Sequence, residues 1–453
     1  MTGERVVGDG REVNLVLDFC LKIGEMLLSS GAGAADVSVT MRALAHHFGL
    51  AQAEIDVTFT SLSMSVQPDP EASMVVAIRQ VKLREIDYED LTQTDHLVRH
   101  VLNGDLTLTE ARRWLARIIS SGHHTPRWAV TVGWGVMCGG VALQLGGDVT
   151  VLVIASLAAM GIDRLQLFLA KRRLPFFYQQ VAGGGFAMLL TVAAVGVGIP
   201  VDPSLVVTAN IVMLLAGIGF MGALQDALTG FYITANARLL EAVLATAGII
   251  AGVSAGLSIG GLLGVDVGRL VPGRFGIGDF AISAIGAAIG ACAFAFSSYA
   301  PRRSLLPIAL ISGAGYVIYL SILTNDFDRP WAAGVAAFAI GVVSYPVASR
   351  LGVPPLVLVV TGVVTMLPGL SIYRGLSLLA DGGSGTTPGL LAMFTAASVA
   401  LALSAGVILG EYVAQPVRRN ARRLEYRLAG PRLIGPSRIR GRQRSRRSRV
   451  DEA

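Results

Sequence analysis

Charge is what this chain has least of. Asp, Glu, Lys and Arg make up 15% of its 453 residues, where a soluble domain carries roughly 25%. Cysteine is nearly as scarce. Three thiols (Cys20, Cys138, Cys292), with no CxxC pair and no Cys/His zinc spacing, exclude a disulfide framework and are expected to be reduced packing residues. Only 3 of the 37 basic residues are Lys, in keeping with a GC-rich bacterial genome. No Walker A pattern occurs, so ATP-driven transport is not expected, and no cofactor site is legible. The N-terminus has no basic–apolar–small leader, so the first domain is expected to stay in the cytoplasm.

What fills the space is apolar: 53% hydrophobic residues and 54 glycines, with a mean hydropathy of +0.61. The few charges are unevenly placed. Residues 1–126 hold 11 basic and 17 acidic side chains, residues 127–416 hold 13 and 11, and residues 417–453 hold 13 and 3. This divides the chain into an acidic soluble domain (1–126), a membrane core and a basic tail. The tail, from about residue 416, carries Arg438, Arg440, Arg442, Arg444, Arg446, Arg447 and Arg449. Lying just past the last apolar segment, it is expected to be disordered and to meet anionic lipid headgroups rather than nucleic acid.

In the first domain, Leu15 to Leu27 and Ala34 to Phe48 have helical apolar spacing, ending near Gly31 and Gly49. Residues 55–60, 62–66 and 74–81 alternate as strands, and two helices follow over Leu91–Leu102 and Thr109–Ser120. This is an α+β pattern. From Arg127 onward there are ten apolar segments, about 128–146, 149–169, 177–199, 204–223, 239–261, 278–298, 305–323, 331–349, 355–373 and 389–411. Each approaches the roughly 20 residues a helix needs to cross a bilayer. With the first domain inside, the inner loops collect Lys171-Arg172-Arg173, Arg238, Arg302-Arg303, Arg350 and Arg418-Arg419. The outer loops collect Asp148, Asp202, Asp266 (with Arg269 and Arg274), Asp326 and Asp328 (with Arg329) and Asp381. That asymmetry predicts both termini in the cytoplasm.

Shifting the first five segments by 152 residues lays them over the second five, with Gly217 on Gly369, Leu224 on Leu376 and Gly230 on Gly382. Five is odd, so the repeats over 127–265 and 266–415 must be inverted, the plan of many secondary transporters. The predicted fold is an α-helical polytopic membrane protein, two inverted five-helix repeats with a small N-terminal cytoplasmic α+β domain.

Three enzyme-like patterns lack their context. Gly217-Ile218-Gly219-Phe220-Met221-Gly222 matches GxGxxG, but inside an apolar segment with no strand before it. The two GxSxG matches overlap as Gly252, Gly256 and Gly260, a small-residue helix face suited to close packing. Gly183-Gly184-Gly185 and Gly286/Gly290 suit such packing within the chain or in a homo-oligomer. His96 and His100, four apart, are half a metal site, though solvated histidines are commoner. Ser61, Ser63 and Ser65 read as the polar side of a strand.

Polar residues inside apolar segments are costly and mark pathways. Asp163-Arg164 lies in the second segment, where the alternative is a neutralised pair at the inner interface. Asn210 lies in the fourth, where the alternative is an interhelical hydrogen bond. Asp226, Asn236, Arg238 and Glu241 cluster around the inner end of the fourth and the start of the fifth. Pro368-Gly369 interrupts the ninth just before Tyr373-Arg374, which suggests either a broken helix holding a polar substrate or a packing kink.

Residues Leu28-Ser29-Ser30-Gly31-Ala32-Gly33-Ala34-Ala35-Asp36-Val37, then Met41-Arg42-Ala43-Leu44-Ala45 and Phe48-Gly49-Leu50, resemble the opening of the threonine/serine exporter family. Asp226 with Gly230 and Arg238-Leu239-Leu240-Glu241-Ala242 resembles that family's loop after the fourth helix. Val364-Thr365-Met366-Leu367-Pro368-Gly369, then Tyr373-Arg374-Gly375, is similar to the proline–glycine motif of its second unit. The first half departs, with Ala216-Gly217 and Gly222 where the family usually has Pro-Gly and a downstream Asn. The resemblance implies export of threonine and serine on the proton gradient, without enzymatic chemistry. For such an exporter the residues themselves offer candidate roles: Asp163 or Asp226 for the proton, since a carboxylate in low dielectric holds one more readily, Arg164 or Arg374 for a substrate carboxylate, and the Pro368-Gly369 backbone for the amino or hydroxyl group. A two-chain relative associated with succinate export leaves a dicarboxylate as the alternative substrate. A hydrolase or regulatory role for the first domain also stays open.

Overall fold

The computed structural model describes residues 10–67, 73–81, 86–123, 125–214, 216–265, 280–325, 327–381 and 385–414. The basic tail, and the loop residues Asp266, Arg269, Arg274 and Asp326, lie outside them.

The chain opens with α1 (Gly10–Ser29) and α2 (Ala34–His47), then β1 (Glu54–Val57), β2 (Ser61–Val66) and β3 (Val75–Gln80), then α3 (Tyr88–Leu102) and α4 (Leu108–Ser121). The three strands form an antiparallel meander in the order β1-β2-β3, with Asp56 opposite Ser63 and Ser63 opposite Ile78. One sheet face, with Val57, Leu62, Met64 and Val66, is buried against α1 and α2, while Ser61, Ser63 and Ser65 take the other. Period-2 alternation produces this division. Two positive-φ glycines, Gly31 and Gly49, stop the first two helices. Thr107 and Glu110 close a reciprocal capping box at the start of α4.

The apolar part contains α5 (Arg127–Gln144), α6 (Val149–Lys171), α7 (Phe176–Gly196), α8 (Pro203–Met213), α9 (Ala216–Leu228) and α10 (Tyr232–Leu262). It continues with α11 (Phe280–Ser297), α12 (Arg302–Leu323), α13 (Arg329–Leu351), α14 (Pro355–Val363), α15 (Gly369–Asp381) and α16 (Thr386–Ala414). Among the described residues, seven helices are long and apolar enough to cross a membrane, or up to nine if α8 with α9 and α14 with α15 each count as one bent span. The tenth expected segment is α5, which begins at Arg127, ends at Gln144 and is the less apolar for it. Exposed Leu157, Leu244, Leu310 and Leu401 present a lipid-facing surface, and exposed Trp128 and Trp331 sit at helix starts, where aromatic anchors belong.

The 152-residue repeat is visible in the packing. α7 lies on α10 as α13 lies on α16, α5 on α6 as α11 on α12, and α9 on α10 as α15 on α16. Between the repeats, α5 meets α11, while α9 and α15 each reach the last helix of the other unit. Glycine makes the closest crossings. A Cβ at Gly184 would meet the Ile249 carbonyl at 2.6 Å, one at Gly341 would meet the Val407 carbonyl at 2.7 Å, and one at Gly140 would meet the Gly290 nitrogen at 2.7 Å. The glycine faces are thus filled from within the chain. The sequence anticipates a break in the ninth segment only. The structure also bends the fourth, by 45°, against 49° for the ninth.

The N-terminal elements sit on one end of the helices. Their core continues into that of α11–α14, with Tyr88 edge-on to Phe294. The Tyr88 N–H donates to the Ser298 carbonyl, and the His123 ring stacks on Tyr299 at 3.8 Å. All these contacts lie at the ends predicted to be inner.

Candidate functional site

The two bent spans meet at their bends. In the second unit α14 runs into a 3-10 turn (Val364–Met366), Leu367 is extended, and α15 starts at Gly369 behind buried Pro368. Proline cannot donate the helical hydrogen bond its position requires, so the helix stops there. The Ile372 N–H, donating to the Pro368 carbonyl, is the first bond of the new helix. In the first unit α8 ends at Met213 and α9 begins at Ala216 without a proline. The starts of α9 and α15 touch: a Cβ on Gly217 would lie 2.9 Å from the Leu367 Cβ and 3.2 Å from the Gly369 nitrogen. These are the two glycines that the 152-residue shift superimposes. A Cβ at position 217 would force its neighbours to give, whereas one at Gly369 would stand 3.5 Å from the Gly217 nitrogen, an ordinary contact, so the close approach needs glycine at 217.

Buried polar side chains stand on or beside the elements that lead into these bends. Gln144, 4% exposed at the end of α5, donates from Nε2 to the Thr365 carbonyl at 3.1 Å. The carbonyl is an acceptor only, so the orientation of this amide is determined by its partner. Gln144 Oε1 and Thr365 Oγ1 are buried without a hydrogen-bond partner among the described residues. Tyr316 of α12 also interacts with the Gln144 side chain. Asn210, 1% exposed on α8, returns its Nδ2 to the Val206 carbonyl of its own helix and leaves Oδ1 buried and unpartnered. Its hydrogen bond is therefore intrahelical. Tyr373 of α15 is buried in the cluster that contains Val206, Val207 and Ile211 of α8.

The acidic candidates lie elsewhere. Asp163 is buried, and its partner is Arg127 rather than its neighbour Arg164, which is exposed. Arg127 Nη2 donates to one carboxylate oxygen at 2.6 Å, and the Thr131 hydroxyl donates to the other at 2.6 Å. Asp226, 1% exposed, accepts the Ala34 N–H at 3.0 Å on Oδ1 and pairs through Oδ2 with Arg238 Nη1 at 2.9 Å. Arg238 Nη2 donates to the Ala32 carbonyl at 3.2 Å, and Thr234 Oγ1 to the Val57 carbonyl at 3.1 Å. Asp226 thus fills the capping position of α2, whose own preceding residue, Gly33, has no side chain to do it. The family-like Gly31–Ala35 stretch and the Asp226–Arg238 loop are the two halves of one junction. Glu241, Asn236 and Arg374 are exposed.

His96 and His100 do not converge. His96 Nε2 bonds the Gly352 carbonyl at 2.8 Å, sharing it with Arg303, and His100 Nδ1 faces Asp105 at 3.0 Å. Sequence reading missed Arg127, Thr131, Gln144 and Thr365. Gln144 and Thr131 were visible as polar residues in an apolar segment, the signal already used for Asp163.

Two family models match the chain in succession. One described as "Putative threonine/serine exporter" covers residues 18–260, and one described as "Threonine/Serine exporter, ThrE" covers residues 283–413. A "Probable threonine/serine exporter" of Mycobacterium tuberculosis is 33% identical over 435 residues, which is 93% of this chain and 81% of the relative. A "Threonine/serine exporter" of Corynebacterium glutamicum is 32% identical over 432 residues, covering 92% and 86%. No solved structure matches significantly. With the two models laid end to end along both repeats, the chain belongs to the threonine/serine exporter family.

Proposed function

We propose that this protein exports threonine and serine across a bacterial cytoplasmic membrane, driven by the proton gradient through alternating access of its two repeats. The observation that carries this reading is the contact of two broken helices at Gly217 and Gly369, related by the repeat. Inverted-repeat transporters commonly hold substrate where discontinuous helices leave backbone groups unpaired near the midplane. The relatives named as threonine/serine exporters supply the substrate class. The N-terminal elements and the basic loop residues Arg302, Arg303 and Arg350 share one end of the bundle, which the positive-inside rule assigns to the cytoplasm.

Asp163 is the coupling carboxylate. It lies within a membrane helix with both oxygens engaged, so taking up a proton requires Arg127 to release it, and a moving α6 would make that exchange. Asp226 instead holds the N-terminal domain to the membrane part and is not assigned a proton.

The test is efflux of labelled threonine, and separately of succinate, from proteoliposomes under an imposed pH gradient. Threonine efflux that collapses with an uncoupler, and that loses its dependence on the gradient in Asp163→Asn, is the expected result. Succinate efflux alone would move the substrate to the dicarboxylates. Undiminished gradient dependence in Asp163→Asn would remove that residue from coupling.

A further inference from the structure

Each helix leaves its first backbone N–H groups without an intrahelical partner and carries roughly +0.5 of an elementary charge at that end. α9 and α15 begin side by side at Gly217 and Gly369. Being related by an inverted repeat, they run away from each other, so both positive ends fall at one place. Two like poles at this distance are unfavourable unless an anion lies against them. Among the described residues, the buried carboxylates of the first unit are committed elsewhere, Asp163 to Arg127 and Asp226 to Arg238, and Glu411 of the second lies near the far end of α16. The two arginines offered by sequence for a substrate carboxylate, Arg164 and Arg374, are exposed.

The opposite pole of the ninth span is beside them. α14 and its 3-10 turn end at Met366, so their last carbonyls make a partial negative end. Gln144 is held there by its bond to the Thr365 carbonyl, and Gln144 Oε1 and Thr365 Oγ1 are each buried without a hydrogen-bond partner among the described residues. Buried acceptors without partners are rare in native proteins and call for an explanation. A cation with N–H groups to donate would provide one.

We propose that the paired helix breaks bind the zwitterionic head group of an α-amino acid. Its carboxylate is received by the N-termini of α9 and α15, and its ammonium by Gln144 Oε1 and Thr365 Oγ1. This rests on the export reading above and adds to it the chemistry of recognition. The carboxylate meets partial charges of the backbone and the ammonium two neutral side-chain oxygens, so no ionised side chain is needed. A dicarboxylate would place its second anion against Gln144 Oε1 and the partially negative end of α14 and be rejected.

The experiment is displacement of labelled threonine from the purified full-length protein. Serine should compete, whereas threoninamide, which lacks the carboxylate, N-acetylthreonine, which lacks the ammonium, and succinate should each need at least 100-fold higher concentration. Gln144→Leu should weaken threonine at least 10-fold, and Thr365→Val, which keeps the shape and deletes the other oxygen, should weaken it in the same direction. Thermal unfolding of both variants keeps a folding defect apart from a binding defect. Threonine bound and exported while threoninamide competes equally would overturn the carboxylate cradle and leave the export reading standing. Equal competition by N-acetylthreonine, or unchanged affinity in Gln144→Leu, would overturn the ammonium end. Threonine that neither binds nor leaves vesicles would overturn the export reading and this one together.

Discussion

The two five-helix units use one packing scheme and carry different polar equipment. Both cross their third and last helices on glycine, and both break their fourth span. Yet the 152-residue counterpart of Asp163 is Gly315, and those of Asp226 and Arg238 are Leu378 and Leu390. The units also hold the N-terminal elements differently. The first does it with hydrogen bonds from Asp226, Arg238 and Thr234, the second with an apolar core that runs from α3 into α11–α14. Symmetry has been kept where backbones touch, because a lost glycine cannot be repacked. It is absent where charge is used: the Asp163–Arg127 and Asp226–Arg238 pairs have no ion-pair counterpart at the positions 152 residues on.

The first way to break the comparison is to fill its shared part. A Cβ at Gly252 would run into the Val181 carbonyl, and one at Gly406 into the Gly334 carbonyl. Gly252→Leu and Gly406→Leu should each cost about 3 kcal/mol or more, since these contacts are with backbone and overpacking alone costs about 1–3. Loss of the monodisperse peak in size-exclusion of both variants is expected. If one variant behaves like the parent, the units do not share a packing requirement.

Much of this architecture is legible in the sequence. Ten apolar segments, their inversion and the α+β elements follow from residue spacing, and α1 and α2 end close to Gly31 and Gly49, though α1 and α3 begin at Gly10 and Tyr88, ahead of the Leu15 and Leu91 that the spacing gives. The ninth break announces itself by Pro368. The fourth does not, because Ala216-Gly217 offers no residue incapable of helix, and the bend exists only where the two spans press together. Partnership across the fold was equally hidden. Asp163 stands beside Arg164 in the chain, but successive helical residues point about 100° apart, so its partner is Arg127 on the preceding helix.

The second comparison to sharpen is the polar junction of the first unit. Asp226→Ala removes both the acceptor for the Ala34 N–H and the partner of Arg238. A lost helix cap costs about 1 kcal/mol, and a buried charge left behind adds to it. Roughly 2–3 kcal/mol is expected, read as faster amide exchange at residues 32–37. Asp226→Asn keeps an oxygen for Ala34 and should lose about half as much. Exchange confined to the membrane helices, with α2 unaffected, would show that the second unit holds the domain alone.

The smallest effect concerns the domain's grip on the second unit. Asp95 of α3 lies one residue from His96, which bonds the Gly352 carbonyl. Burial pushes the Asp95 carboxyl up to about 7, against the opposing pull of Arg99. An unfolded Asp titrates near 3.9, so between about pH 4 and 7 the folded state binds a proton that the unfolded state does not. This contribution to stability is therefore complete at the acidic end of that window and is lost as pH rises through 7. Asp95→Asn, which cannot ionise, should flatten the pH dependence of the domain's unfolding midpoint. At pH 8 it should gain on the order of 1 kcal/mol over the parent, because the Arg99 pair it forfeits offsets part of the relief. A midpoint that still falls in the variant as pH is raised from 5 to 7 would place the titration in another group, of which Asp87, pushed up to about 6 by burial, is the next to replace.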